Sequence, residues 1–152
     1  MAKGLPSLPN DAIASYHFAV EIDNTEIAQF SELSGITSEI DVIELKENTK
    51  DGKPLIKKLP GARKPPTITL KRAKNSSMDL WNWHYAMYQG NVGDARRNGS
   101  IVLYDYTYGE CARYNFLNGW VSKLTMGAAK AGANEVLSEE CTIVCEELTR
   151  VK

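Results

Sequence analysis

The chain has 152 residues, 43% hydrophobic and 24% charged, with 18 Lys and Arg against 19 Asp and Glu for a formal net charge of -1. That is enough chain to bury one sizeable core and too little for two, and the composition excludes a disordered or fibrous polymer. No segment approaches the roughly 18 uninterrupted apolar residues of a membrane span, and the opening MAKGLPSLPNDAIASYHF lacks an apolar signal core, so the sequence predicts a chain made and folded in the cytosol with no stable membrane insertion.

In chain order, residues 1–14, with Gly4, Pro6 and Pro9, read as an arm outside a single domain spanning 15–152. In YHFAVEI, Tyr16, Phe18, Val20 and Ile22 alternate with His17, Ala19 and Glu21, the period of a half-buried strand. A turn at Asp23-Asn24, a short apolar return through Ile27 and Phe30, and a stop at Gly35 follow. ITSEIDVIELKE alternates again, but its apolar phase slips between Val42 and Ile43, as a bulge or strong twist would produce. From Asn48 to Pro66 the prolines 54, 60, 65 and 66 and the absence of sustained alternation predict a long loop. TITLKR resumes the strand.

NSSMDLWNWHYAMYQG reads as a helix. Ser76 and Asp79 have capping-box spacing, Gly90 suits the C-terminal cap, and Leu80, Trp83, His84 and Met87 share a stripe. Trp81, Tyr85 and Tyr88 add a second apolar flank, so most of the circumference is expected to be buried. Strands in IVLYDY, ARYNFLNGWVSKL and, past the Gly/Ala-rich TMGAAKAGANEV, LSEECTIVCEELTRV complete the chain. The total is six or seven strands and one flanking helix: a mainly β fold, as a barrel or packed sheets.

Charge falls in blocks. Residues 1–51 carry ten acids and three bases, 52–78 eight bases and no acid, and 79–152 nine acids and seven bases. The densest stretch, Lys57 to Lys74 (KKLPGARKPPTITLKRAK), holds seven bases. It reads as a nucleic-acid patch, a loop facing acidic surface on a neighbouring copy, or a solvated loop with no partner.

The residues offer little chemistry. His17 and His84 lack metal-ligand spacing to each other or to a cysteine, and read as a surface and a helix-packing residue. Cys141 and Cys145 in CTIVCEEL would lie about 13 Å apart on one strand face, too far for a disulfide, so they and Cys111 read as free thiols, the pair buried. GAAKAG, Gly127 to Gly132, has P-loop glycine spacing, but Ala133-Asn134 stands where Lys and Ser/Thr are needed. The pairs Glu139-Glu140 and Glu146-Glu147 point to opposite strand faces and form no carboxylate dyad. Neither metal nor cofactor is expected, and no nucleophile, base and oxyanion donor come together as an enzyme requires. The aromatics Trp81, Trp83, Tyr85 and Tyr88 have the spacing of core or subunit packing rather than of a base-stacking platform.

The segment 48–66 is longer than a compact fold requires. Its Leu55, Ile56 and Leu59 have no evident core to enter, and its prolines oppose disorder. A basic loop of one copy docking on the acidic first third of the next would be heterologous, and such contacts build rings or filaments.

The succession FSELSGITSEIDVIELKE, KKLPGARKPPTITLKR, a Trp-containing helix, IVLYDY, NFLNGWVSKL and NEVLSEECTIVCEEL, covering Tyr16 to Arg150, resembles the inner tube proteins of contractile injection systems, the phage T4-like tail tube family and, more distantly, Hcp of type VI secretion. Its most specific parts are Phe30–Gly35 and Lys58–Arg72; Ala73 and Val121 depart from the family's usual glycine and proline. The resemblance implies a β-barrel or pair of packed sheets with one helix, in six-subunit rings that stack into a hollow tube, surrounded by a sheath and joined to a baseplate hub and a terminator, with effector or DNA in the lumen. The resemblance also admits a specialised first-ring subunit beneath the main tube. On that reading Lys57, Lys58, Arg63 and Lys64 connect rings and subunits by meeting Glu39, Asp41, Glu44 and Glu47 of neighbours, while Leu55, Ile56, Leu59 and the sheet edges supply most of the binding energy. The alternative is an OB-like nucleic-acid-binding barrel using 57–74.

Overall fold

The computed structural model describes residues 17–23, 25–27, 30–105, 108–132 and 134–152, with backbone alone for 25–27. The expected arm at 1–14 lies outside them. Among the described residues the elements are β1 (Phe18–Ile22), β2 (Thr25–Ile27), β3 (Phe30–Ser34), β4 (Glu39–Asn48), β5 (Pro54–Lys64), β6 (Thr67–Ala73), α1 (Asp79–Tyr88), α2 (Val92–Ala95), β7 (Arg97–Tyr104), β8 (Glu110–Met126), β9 (Ser138–Val144) and β10 (Glu147–Arg150). The fold is mainly β, as its alternating patterns predict. There are more strands than expected because long patterned segments break at turns and because β5 forms where a loop was expected.

One antiparallel sheet runs β2-β1-β7-β8-β9-β6-β3, with β10 also paired to β8. Strand β8 joins its two halves. Residues 110–119 pair with β7, residues 120–126 pair with β9, and β10 carries the β9 side on along Tyr114–Leu117. The bend falls at Asn118-Gly119. Asn118 takes a left-handed φ of 51°, which asparagine tolerates better than most residues. Its amide nitrogen donates to Asn98 Oδ1 at 3.1 Å and its side chain to Glu146 Oε2 at 2.7 Å. Just beyond, a register shift between Val121 and Lys123 strengthens the twist.

Folding the sheet over gives both halves one core. Val20, Ile22, Ile101 and Phe116 from one half meet Ile68, Leu70, Val121, Cys141 and Ile143 from the other, and Leu80 and Trp83 of α1 close it. Phe116 fits because two neighbours lack side chains. A Cβ on Gly119 would stand 2.6 Å from Phe116 Cε2, and one on Gly99 would overlap the Phe116 ring and lie 2.7 Å from the Glu21 carbonyl oxygen. Gly35, at φ 86°, ends β3 where a Cβ would collide with the Thr67 carbonyl, the physical reason for glycine in the FSELSG turn. Cys141 and Cys145 are buried free thiols, and desolvation pushes the Cys141 thiol up to about 12.

Helix α1 starts later than its capping pattern predicts. Asp79 is its first residue, Met78 occupies the cap without a side-chain bond, and Ser77 rather than Ser76 accepts from the Asp79 amide, at 3.4 Å. Gly90, at φ 88°, ends the helix as expected. Leu80 and Trp83 are buried, Trp83 Nε1 donates to the Ala95 carbonyl at 2.6 Å, and the His84 ring bonds the Val121 carbonyl at 2.8 Å, covering part of the outer edge of β8. The other flank is a correction: Trp81, Tyr85 and Tyr88 are exposed, so roughly half of the helix faces outward.

The core also holds a charge pair. Arg72, on the inward face of β6 with Ile68 and Leu70, is 3% exposed, and its Nε donates to Glu139 Oε2 at 3.0 Å. Lys74 reaches Glu139 Oε1 at 3.3 Å, and the Arg72 guanidinium lies 5.7 Å from the Phe30 ring centre. Glu139 is 6% exposed, so its Glu139-Glu140 pairing indeed splits across the sheet, one carboxylate in and one out.

Gly99→Ala is expected to destabilise the unassembled subunit by about 1–3 kcal/mol, read from urea unfolding, because a backbone carbonyl cannot yield as a flexible side chain would. Glu139→Ala leaves Arg72 buried without a counter-ion and is expected to cost about 3–5 kcal/mol, whereas Arg72→Met with Glu139→Leu recovers most of that loss. Equal destabilisation by the single and double variants would show that the pair's charge is not what matters.

Candidate assembly surface

Strands β4 and β5 stand apart from the main sheet as a two-stranded ribbon, paired from Glu39↔Lys64 to Asn48↔Pro54. This corrects the loop expected at 48–66: only the turn at 49–53 and the exit at 65–66 lie outside the strands. The prolines misled because they are tolerated here. Each strand of a two-stranded ribbon is an edge strand, Pro54 is the first residue of β5, and Pro60 adjoins the bulge between Ile40 and Val42. At that bulge β5 carries the extra residue, with Gly61-Ala62 opposite Asp41. A Cβ on Gly61 would press to 3.0 Å on the Asp41 carbonyl oxygen.

The register places Ile43, Leu45, Leu55 and Leu59 on one face with Glu47 and Lys57, and Ile40, Val42, Ile56 and Pro60 on the other with Glu44, Lys46, Lys58 and Arg63. The slip in apolar phase near Val42 thus has a plain cause: both faces carry aliphatic side chains. All seven Ile, Val and Leu residues of the ribbon are exposed, from 41% at Leu45 and Leu55 to 62% at Val42. Isolated two-stranded hairpins are marginal in water, and soluble surfaces rarely present so many large aliphatics together. Of the residues picked out by sequence, Leu55, Ile56 and Leu59 are here; Ile40, Val42, Ile43 and Leu45 were missed, and the phase slip was the signal that could have found them.

The charged residues come together within one copy. Lys57 meets Glu47 at 3.3 Å, and Lys64 meets Asp41 at 2.7 Å and Glu39 at 3.5 Å. Hydrogen bonding to Asp41, followed by the charge of Asp41 and of Glu39, raises the Lys64 ammonium above its ordinary value. Lys58 stands opposite Glu44, and Arg63 reaches outside the ribbon to Glu147 at 3.6 Å. The acids expected to accept the basic block from a neighbouring copy therefore sit on the opposing strand of the same hairpin. Such exposed pairs are screened by water, so they fix register more than they hold the fold.

The rest of the basic block is dispersed. Arg72 and Lys74 are taken up by Glu139, and Lys71 stands between Glu32 and Glu140 on the outward face of the sheet. Every base of 57–74 thus has an acid beside it, and the segment presents no continuous cationic track of the kind a polyanion requires. Among the described residues no group of three or more His, Cys, Asp or Glu could hold a metal ion, and no helix is long and apolar enough to cross a membrane.

The outward face of the four strands β3-β6-β9-β8 is polar in two of its rows, and a third, Thr67, Val144 and Trp120, carries two apolar side chains. Ser34, Thr69, Thr142 and Lys123 form one row across it, and Glu32, Lys71, Glu140 and Thr125 the next. The helix packs against the opposite face.

No curated protein sequence matches the chain. Solved structures do. A chain of the sheath-tube complex of the extracellular contractile injection system PVC, in its extended state, superposes with a TM-score of 0.77 at 22% identity, over 93% of this chain and 92% of that one. A chain of the tube-terminating cap of the anti-feeding prophage gives 0.78 at 22%, over 95% and 94%. A chain of the PVC sheath/tube terminator gives 0.79 at 21%, over 94% and 99%. At these identities the superpositions establish the fold. The sequence pattern of the T4-like virus tail tube protein gp19 matches residues 14–149, nearly the whole length. The chain belongs to the T4-like tail tube protein family.

Proposed function

We propose that this chain is the repeating subunit of the inner tube of a contractile tail or tail-like injection particle, closing in sixes into rings that stack into a hollow tube. The observation that carries this reading is the β4–β5 hairpin: a ribbon with exposed aliphatic side chains on both faces, whose two outer edges pair with no other strand among the described residues. Neighbouring copies cover it. A hairpin covered by a different surface of the next copy makes a heterologous contact, the kind that builds rings and filaments. Ile40, Val42, Ile43, Leu45, Leu55, Ile56 and Leu59 supply most of the binding energy. The ion pairs hold the ribbon in register and orient it. Many weak contacts per ring give a strong tube through high effective concentration.

The two polar rows on the outward face of β3-β6-β9-β8 suit the wall of a bore. Hydroxyls and balanced charges, Glu32 and Glu140 against Lys71 and Lys123, allow a polymer to pass without adhering. The work of the protein is mechanical. A sheath contracts around the tube, and the tube, docked on a baseplate hub and ended by a terminator, is driven through a target membrane with its cargo of effector or DNA.

Leu55→Ser, Ile56→Ser and Leu59→Ser combined are expected to leave the subunit folded by circular dichroism, since these side chains lie outside the core, while abolishing rings and tubes in negative-stain electron microscopy. Full-length tubes from this variant would sink the hairpin's role.

A further inference from the structure

Helix α1 carries an exposed aromatic ladder that the core does not use. Trp81 and Tyr85 stack with ring centres 5.9 Å apart and planes at 15°, and Tyr85 and Tyr88 at 5.6 Å and 12°. Their exposures are 48%, 40% and 78%, and Met78, just before the helix, is also exposed. Mutual stacking sets the three rings in one row. The row presents ring edges and the outer face of Tyr88, a firm apolar ridge that loses little side-chain freedom when covered.

We infer that this ridge receives the β4–β5 hairpin of another copy, an assignment that rests on the tube reading above and names the hairpin's acceptor. Three observations select a second copy as the occupant. First, ridge and hairpin are both exposed in the same chain, so neither covers the other within one copy. Second, the dimensions agree: Trp81 to Tyr88 spans about 10 Å along the helix, and Leu55 to Leu59 about 13 Å along the strand, so the aliphatic row of Ile43, Leu45, Leu55 and Leu59 matches the ladder in length. Third, the charges agree. Residues 79–89 carry Asp79 and no Lys or Arg, whereas residues 44–58 carry Lys46, Lys50, Lys53, Lys57 and Lys58 against Glu44, Glu47 and Asp51. The ribbon, net positive over 44–58, thus meets no like charge on a ridge whose only formal charge is negative. The pairing is heterologous, so each copy offers one hairpin and one ridge, and the chain of contacts does not close on a dimer.

The test uses the full-length protein at a concentration where electron microscopy shows tubes. Tyr88→p-benzoylphenylalanine is assembled from a mixture of light and nitrogen-15-labelled subunits, irradiated and mapped by mass spectrometry. The expected result is mixed-isotope crosslinks between position 88 and residues 43–59. Crosslinks confined to one isotope, crosslinks to any other segment, or crosslinks only to a sheath subunit when one is present would overturn the assignment. As a second arm, Trp81→Ser, Tyr85→Ser and Tyr88→Ser together are expected to raise the concentration needed for assembly about tenfold or more, with the urea midpoint of the subunit unchanged. Unaltered assembly of this variant also overturns it. If the unsubstituted protein forms no rings or tubes at any concentration, the tube reading itself fails, and with it this contact.

Discussion

Strand β8 pairs with β7 along its first half and β9 along its second, and its 17 residues can serve both halves of the sheet only by bending at Asn118-Gly119. Most of the structure depends on that bend. It turns an open sheet, which would need a separate layer to bury its apolar face, into one that folds over its own core. It also sets the local chemistry. Phe116 lies inside the bend and needs Gly99 and Gly119 beside it; Asn118 occupies the left-handed region; and the break between β9 and β10, at Cys145-Glu146, falls where the partner strand must follow the turn.

The apolar residues then divide into two populations. One, from Val20 to Ile143, is sequestered within a single chain and accounts for the subunit. The other, on β4, β5 and the outer flank of α1, is large, exposed and ordered on regular secondary structure. A monomer has no use for the second population, because exposed aliphatics on a ribbon with free edges invite association. In the proposed tube, the same features would supply the association energy. Charge takes a subordinate place. The basic block is neutralised residue by residue within its own copy, by Glu47, Asp41 and Glu39 on the hairpin and by Glu139 in the core. These ion pairs act within one copy, across the hairpin and in the core.

The buried Arg72–Glu139 pair illustrates how little a charge pattern says about location. In the sequence Arg72 belongs to a basic run ending LKRAK and looks solvated. Its position on the alternation Ile68, Leu70, Arg72 puts it inside, and Glu139 enters from β9 to meet it. Period-two alternation decided the face, and the ion pair followed from it.

Much of the fold was legible in the amino-acid sequence. The alternation of Val20 and Ile22, of Ile68 and Leu70, and of Cys141 and Ile143 marks core strands because a strand with one wet face must alternate. Gly35 and Gly90 mark turns because few other residues take a positive φ comfortably. Buried free thiols, the outward and inward split of Glu139 and Glu140, and the family itself could be read in the same way. The hairpin could not. Its first strand, β4, alternates and reads as a strand, but β5, with prolines on an open edge, has no sustained periodicity to distinguish it from a loop, and only pairing across the turn at 49–53 reveals it. Nor could the outward aromatics of α1 be told from inward ones, since helical spacing gives a stripe without saying what lies against it. Local sequence therefore determined which segments are strand, turn and core, because those follow from each residue's own conformational and solvation preferences. Tertiary structure alone decided which apolar surfaces remain uncovered, because that depends on which segments the bent strand brings together.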